Sequence, residues 1–295
     1  MVALAVGRVR LGAAAFAASL LLLAGTACGE RAEPTGETLP LYPVTVQGAG
    51  DRPAVVRAAP RRIVALGGGP GRILRALGLR SRTRAVNDSL VGLPLVGEIR
   101  RAKPDLIVAS GDADPLDLAR ARTATGAAIY VQPDSSLEDV VRAIDDIGLL
   151  TGRPLQARKL TAAIVRTRQV VSAKLRAAPR VTVFVDTGDF ATVPSRSLLG
   201  NLVLQAHGRS VAGPSPEQGP FPLRRLLRLN PQAYVGTSDS GTTLKALRHD
   251  ALARRLHAVR TGRFGIVPAS AAAPGPEVGR ALEEIARILH PDAFR

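Results

Sequence analysis

One cysteine, one methionine and no tryptophan stand in a chain of 295 residues, and aromatic residues make up only 3% of it. A lone thiol cannot close an internal disulfide, so the fold must rest on burial of apolar surface, which a hydrophobic content of 46% can supply. With three tyrosines and six phenylalanines there are too few flat faces for unpaired bases to stack on, and nucleic acid is excluded as a partner. His207, His249, His257 and His290 are scattered, and none stands at metal-site spacing from another histidine or an acid in a loop. No metal and no cofactor are expected. No nucleophile–base pattern or carboxylate pair stands out, so the chain is read as non-enzymatic. Acids are also in short supply, 24 against 40 Lys and Arg, for a formal charge of +16. In an exported protein such a charge favours anionic membrane surfaces, wall polymers or anionic ligands. The arginines are dispersed rather than run together, and much of the excess is compositional.

The first residues have a pattern of their own. Arg8 and Arg10 precede an apolar stretch from Leu11 to Leu23, followed by Ala24-Gly25-Thr26-Ala27 and then Cys28. A charged start, a short apolar run and small residues describe a secretory signal, too short for a membrane span. The segment resembles a bacterial lipoprotein lipobox, with Gly25 where an aliphatic residue is usual. The resemblance implies lipidation at Cys28 and an extracytoplasmic, membrane-anchored location. Residues 1–27 are then the signal, and 28–58 a polar tether followed by a short hairpin between Tyr42 and Val56.

From Arg61 onward short apolar runs alternate with helical patterns. Strands are predicted at 63–66, 83–86, 105–109 and 128–131, with helices over 73–77 and 115–125. Ser135 and Glu138 suggest a capping box opening a helix whose apolar face carries Leu137, Val140, Val141, Ile144 and Ile147. Pro154 begins a longer helix to about residue 177, ended by Pro179. A second set follows, with strands at 181–185, 233–235 and 264–267, helices at 198–206 and 222–229, and a final amphipathic helix from Val278 to Leu289. Strands alternating with helices imply βαβ units and mostly parallel sheets.

The segments RRIVALGGGPGRILRALG, KPDLIVAS, SLEDVVRAIDDIGLLTG, PRVTVFVDTGD, SLLGNLVLQAHG, GPFPLRRLLRLNPQAYV and GRFGIVPASAAAPGPEVGRALEEIARILHPDAF stand in that order between Arg61 and Phe294. In order and spacing the chain resembles the substrate-binding proteins of iron–siderophore, haem and cobalamin ABC importers. The resemblance implies an α/β fold of two Rossmann-like lobes joined by one long connecting helix, with the ligand cleft between them. The lobes would be residues 59–153 and 179–295, with the connecting helix at 154–178.

In open α/β sheets, ligands bind beyond the carboxyl ends of the strands. The loop Gly67–Gly71 lies at such an end, and its free N–H groups beside Arg72 suit an anion; a turn that needs glycine backbone angles accounts for the same residues. The resemblance implies ligand contacts at Gly68, Gly69, Arg72, Asn87 and Asp88 on the first lobe, and at Asp186, Asp189, Phe190, Arg196, Phe221 and Ser270 on the second. Arg196 suits an anionic oxygen or simply solvent, and Phe221 the cleft or the core. Members of the family present an acid on each lobe to the permease. Asp114 or Asp117 fills that place on the first lobe. On the second, Arg224 and Arg225 stand where an acid is expected and Glu217 is displaced.

The expected protein is a monomeric, lipid-anchored solute-binding protein of an ABC importer whose ligand is a ferric siderophore. The scarcity of aromatic faces counts against cobalamin and haem, which remain the alternative ligands. A surface lipoprotein that keeps the fold as an interaction module is the alternative from another class. Expected partners are the chelate, the permease subunits and, through the lipid, the membrane.

Overall fold

The computed structural model describes residues 41–86, 90–214 and 219–295. Cys28, Asn87, Asp88 and Glu217 lie outside them, and so does the proposed signal segment. Among the described residues no helix is long and apolar enough to cross a membrane.

The chain enters through an antiparallel hairpin, β1 (Val44–Val46) and β2 (Ala54–Val56), within the Tyr42–Val56 segment where one was expected. The first lobe follows as β3 (Ile63–Leu66), α1 (Gly68–Ala76), β4 (Thr83–Val86), α2 (Gly92–Ala102), β5 (Leu106–Ala109), α3 (Pro115–Thr125), β6 (Ala128–Val131) and α4 (Leu137–Leu150). Its four strands form a parallel sheet in the order β4-β3-β5-β6. The middle strands β3 and β5 are buried at every residue, which explains why they are continuous aliphatic runs rather than alternating ones.

Helix α5 (Pro154–Leu175) then leads to the second lobe. That lobe contains β7 (Val181–Asp186), α6 (Leu198–Gln205), β8 (Gly208–Ser210), α7 (Leu223–Leu229), β9 (Ala233–Thr237), α8 (Leu244–His249), α9 (His257–Thr261), β10 (Phe264–Val267), α10 (Ala269–Ala272) and α11 (Val278–Leu289). Its parallel sheet runs β10-β9-β7-β8.

Helix ends follow their sequence signals. Asp114 caps α3, accepting from the Leu116 N–H at 2.7 Å, with Pro115 in the first turn and Gly126 at φ 67° closing the far end. The start of α4 differs from expectation by one residue. Ser136, not Ser135, is the N-cap, its hydroxyl accepting from the Asp139 N–H. Glu138 does not fold back on its own helix. It takes a 2.6 Å contact from Arg168 of α5 and a hydrogen bond from the Gln205 amide of α6.

Those contacts belong to a junction shared by both lobes. Ile164, Val171 and Leu175 of α5 are buried in one apolar cluster with Leu137, Val140 and Ile144 of α4, Leu199, Leu202 and Val203 of α6, and Leu282 and Ile285 of α11. The Leu137 N–H also donates to the Asn201 side chain across the junction. Each fully buried aliphatic side chain is worth about 1.5–3 kcal/mol. Wide separation of the lobes would re-expose several of them.

Candidate functional site

The candidate site opens at the carboxyl ends of the first-lobe strands, where the topology leaves a crevice. The cavity holds about 360 Å³. Gly67–Pro70 and Arg72 line one wall, the loop after β5 (Ser110–Asp114) another, and Ala273 and Pro274 of the second lobe close it.

Two glycines make this geometry possible. Gly67 sits at φ 90°, a conformation that L side chains rarely adopt, and turns β3 into α1. At Gly69 a Cβ would lie 2.3 Å from the Pro274 carbonyl oxygen, so only glycine lets the second lobe approach here. The Gln132 amide, also fully buried, donates to that same carbonyl at 3.3 Å.

Arg72 lines the cavity and has an ion-pair partner across it, while its buried Nε and Nη2 have no hydrogen-bond partner among the described residues. Its guanidinium lies 3.4 Å from the Glu277 carboxylate of the second lobe, a salt bridge that crosses the cleft. The other charged residues at the cavity are all acids: Asp112, Asp114, Asp117 and Asp134. Asp134 accepts from the Gly111 N–H, and a Cβ at Gly111 would fall within 2.9 Å of that carboxylate. Burial holds the Asp134 carboxyl above the ordinary carboxylate range; repulsion from Asp112 and Asp139 adds to this, and the Gly111 N–H opposes it.

Asp117, expected to face a permease, is instead 5% exposed. Its carboxylate takes the Gly92 N–H at 2.7 Å and pairs with Arg120, tying α3 to the start of α2. Asp114 lies at the cavity with one oxygen engaged in capping. Both residues therefore belong to the cleft wall. The sequence places them correctly after β5 but leaves their direction open, because strand ends and helix caps attract acids for reasons unrelated to docking.

On the second lobe the expected contacts separate. Asp186 is 1% exposed and accepts from the Gly188 N–H, the Thr242 hydroxyl and the Tyr234 hydroxyl. Burial and this carboxylate push the Tyr234 hydroxyl well above its ordinary range. Asp186 is thus an internal anchor, not a ligand contact. Asp189 and Phe190, at φ 48° and 59°, form the tip of the turn after β7. Phe221 packs with Phe184 and Tyr234 in the second-lobe core. Arg196 and Ser270 are exposed and line neither cavity of the cleft.

A smaller second-lobe cavity of about 290 Å³ adjoins the first across Ala273. Thr187, Thr237 and Asp239 are its polar lining, with Ser197 at its edge. Thr237 and Asp239 were not anticipated, although the loop after β9 is where an α/β sheet would put them. No aromatic side chain lines either cavity among the described residues.

No family model matches the chain. Along 96% of its length it is 23% identical to YvrC of Bacillus subtilis, an uncharacterized ABC transporter substrate-binding lipoprotein, of which it covers 97%. Among solved structures it resembles CeuE of Helicobacter pylori with nickel and histidine, at a TM-score of 0.73 and 14% identity, over 85% of this chain and 89% of that one. It also resembles the periplasmic vitamin B12-binding protein BtuF of Vibrio cholerae, at 0.66 and 18%, over 80% and 98% of the two chains. The chain therefore has the two-lobed α/β fold of the periplasmic binding proteins that its sequence resembles.

Proposed function

We propose that this protein is the extracytoplasmic substrate-binding lipoprotein of an ABC importer, tethered through Cys28 and holding a metal chelate between its lobes. One observation carries the reading. A cavity at the carboxyl ends of the first-lobe strands is closed by residues of the second lobe at a glycine that admits nothing larger. The relatives named for transport are solute-binding proteins, which supports capture rather than catalysis. A ferric siderophore-type chelate suits the cavity better than cobalamin or haem. At about 360 Å³ the space is at the small end for small-molecule sites, and it lacks the aromatic walls on which a flat macrocycle gains affinity.

Thermal unfolding with a panel of ferric chelates, cobalamin and haem tests this. A true ligand at a hundredfold excess over its Kd stabilises the fold by about 2.7 kcal/mol. A melting temperature unmoved by the whole panel would overturn the solute-binding reading.

A second reading, a surface interaction module without import, rests on Arg224 and Arg225. Both are exposed on α7, with Arg225 stacked 5.2 Å over Phe221, where related proteins present an acid to permease arginines. Like charges suppress such an encounter. Co-reconstitution with the permease separates the two readings. Stable association supports import, and its absence in the presence of ligand supports the module.

A further inference from the structure

Charge is not spread evenly over this chain. Between Asp146 and Asp186 there are eight lysines and arginines and not one acid. Helix α5 runs through the middle of that stretch. On other helices arginines find an acid one turn away: Arg120 with Asp117, Arg142 with Asp139, Arg280 with Glu284 and Arg287 with Glu283. On α5 no such pair can form, because the helix has no carboxylate. Arg168 reaches across to Glu138 of α4, and Lys174 is held by the Ala293 carbonyl and the Phe294 ring. Arg158, Lys159, Arg166, Arg176 and Arg180 are exposed and have no acidic partner among the described residues.

Apolar side chains share that outward face. Ala157, Thr161, Ile164, Val171 and Leu175 form the buried stripe of α5. Away from it Leu155 is 66% exposed and Val170 48%, interleaved at helical spacing with Arg158, Lys159, Ala162 and Arg166. Cations and aliphatic side chains on one outward face, without an acid, suit a helix lying in a lipid headgroup layer. A soluble polyanion would engage the cations but gain nothing from the leucine and valine.

The place where the chain enters the described body agrees with this. Tyr42 donates its hydroxyl to the Leu150 carbonyl, and a Cβ on Gly152 would lie 3.5 Å from the Leu41 side chain, so Leu41 and Tyr42 sit at the amino-terminal end of α5. Leu41 and Leu149 are themselves exposed there. Residues 29–40 alone separate Leu41 from Cys28, a span of at most about 45 Å. A lipid on Cys28 therefore keeps the α5 end of the molecule close to the membrane. Helix α4 leaves the carboxyl end of β6 and α5 leads into the amino end of β7, so α5 lies away from the carboxyl ends at which the cavity opens. Contact through α5 leaves the cleft free to receive solute.

We infer that the exposed face of α5 docks on an anionic lipid bilayer, with Arg158, Lys159 and Arg166 over the phosphates and Leu155 and Val170 among the headgroups. This rests on the membrane-tethered part of the proposed function and is independent of what the cleft holds.

The test uses the chain from residue 28 onward without lipid, so that neither the signal segment nor an acyl chain can hold it to a bilayer. It is expected to co-sediment with vesicles of equal parts phosphatidylglycerol and phosphatidylcholine, and not with phosphatidylcholine alone. Each cation near an anionic leaflet contributes about fivefold, so Arg158→Gln/Lys159→Gln/Arg166→Gln should weaken partitioning at least about thirtyfold. Arg224→Gln/Arg225→Gln/Arg228→Gln removes the same charge from α7 and should change it less than about threefold. Leu155→Gln/Val170→Gln should weaken it about tenfold. All these residues are exposed, and an unchanged melting temperature checks that each variant keeps its fold. Equal losses in the α5 and α7 charge variants would make the attraction a matter of net charge and overturn the inference. So would full partitioning of Leu155→Gln/Val170→Gln, which would assign the face to a polyanion such as a wall polymer. Cys28→Ser tests the tether separately: release from bacterial membranes with no vesicle binding by the lipid-free chain leaves the anchored reading standing and overturns this one.

Discussion

The carboxyl ends of β5 and β7 both carry acids, one set in the first lobe and one in the second, yet these acids do opposite things. After β5, Asp112 and Asp114 face a cavity. At the end of β7, Asp186 is sealed under Tyr234 and Thr242, and its oxygens accept from those hydroxyls and from the Gly188 N–H. A carboxylate at a strand's carboxyl end is therefore not a site by position alone. What matters is how many of its acceptor positions the fold has already filled, and with which donors.

Substitution should expose this difference most strongly at Asp186. Asp186→Ala would leave the donors of Tyr234, Thr242 and Gly188 without their partner and is expected to cost about 4 kcal/mol in urea unfolding. Ligand affinity of the folded fraction should not change. A mild loss of stability with a large loss of affinity would erase the contrast between the loops. The next largest effect concerns what the lobes share. Ile164→Ala, 3% exposed in α5, is expected to cost about 3 kcal/mol within a single unfolding transition. Two separated transitions would mean that the lobes are less coupled than their common core implies.

Thr237→Val should act in the other direction. Removing an unpartnered buried hydroxyl should leave the ligand-free protein as stable or slightly more so, while binding weakens by about 1 kcal/mol. Lost stability with unchanged binding would make Thr237 part of the core instead.

The smallest effects are in pH dependence, and they have opposite signs in the two lobes. The Asp134 pKa is raised by burial, so the folded state holds that proton more tightly than the unfolded chain. Its contribution to stability therefore grows as pH falls through the folded pKa toward 3.8. The His290 pKa is lowered by burial beneath its ordinary 6.5, so the unfolded chain takes the proton first and stability declines as pH drops through that value. Melting curves of Asp134→Asn and His290→Gln should flatten these two slopes separately. If either substitution flattens the other's window, the assignment of the two groups is wrong.

The architecture was largely legible. Aliphatic runs of four residues at β3 and β5 and the long apolar stripes of α4 and α11 are buried where periodicity puts them. What escaped lacks that signal. Strand β8 reads Gly-Arg-Ser, helix α8 is only six residues long, and α2 contains Pro94 and Gly97. Tertiary packing holds these elements in spite of their local preference. The site was legible only in part. Gly68, Gly69 and Arg72, expected as ligand contacts from the family resemblance, line the candidate cavity, and glycine before a helix is a distinctive pattern. Asp134 and Gly111 were not expected. Their relation is a steric one between residues 23 apart, and nothing in either segment announces it.

The core shared by α4, α5, α6 and α11 has a practical consequence. Biosensors made from binding proteins commonly rely on two reporters whose separation changes as lobes swing together. Here that separation should hardly vary, and a donor–acceptor pair on the outer faces would be nearly silent. The informative place for a dye is the rim of the cleft near Pro274 and Glu277, where an arriving solute must disturb a salt bridge instead of a hinge.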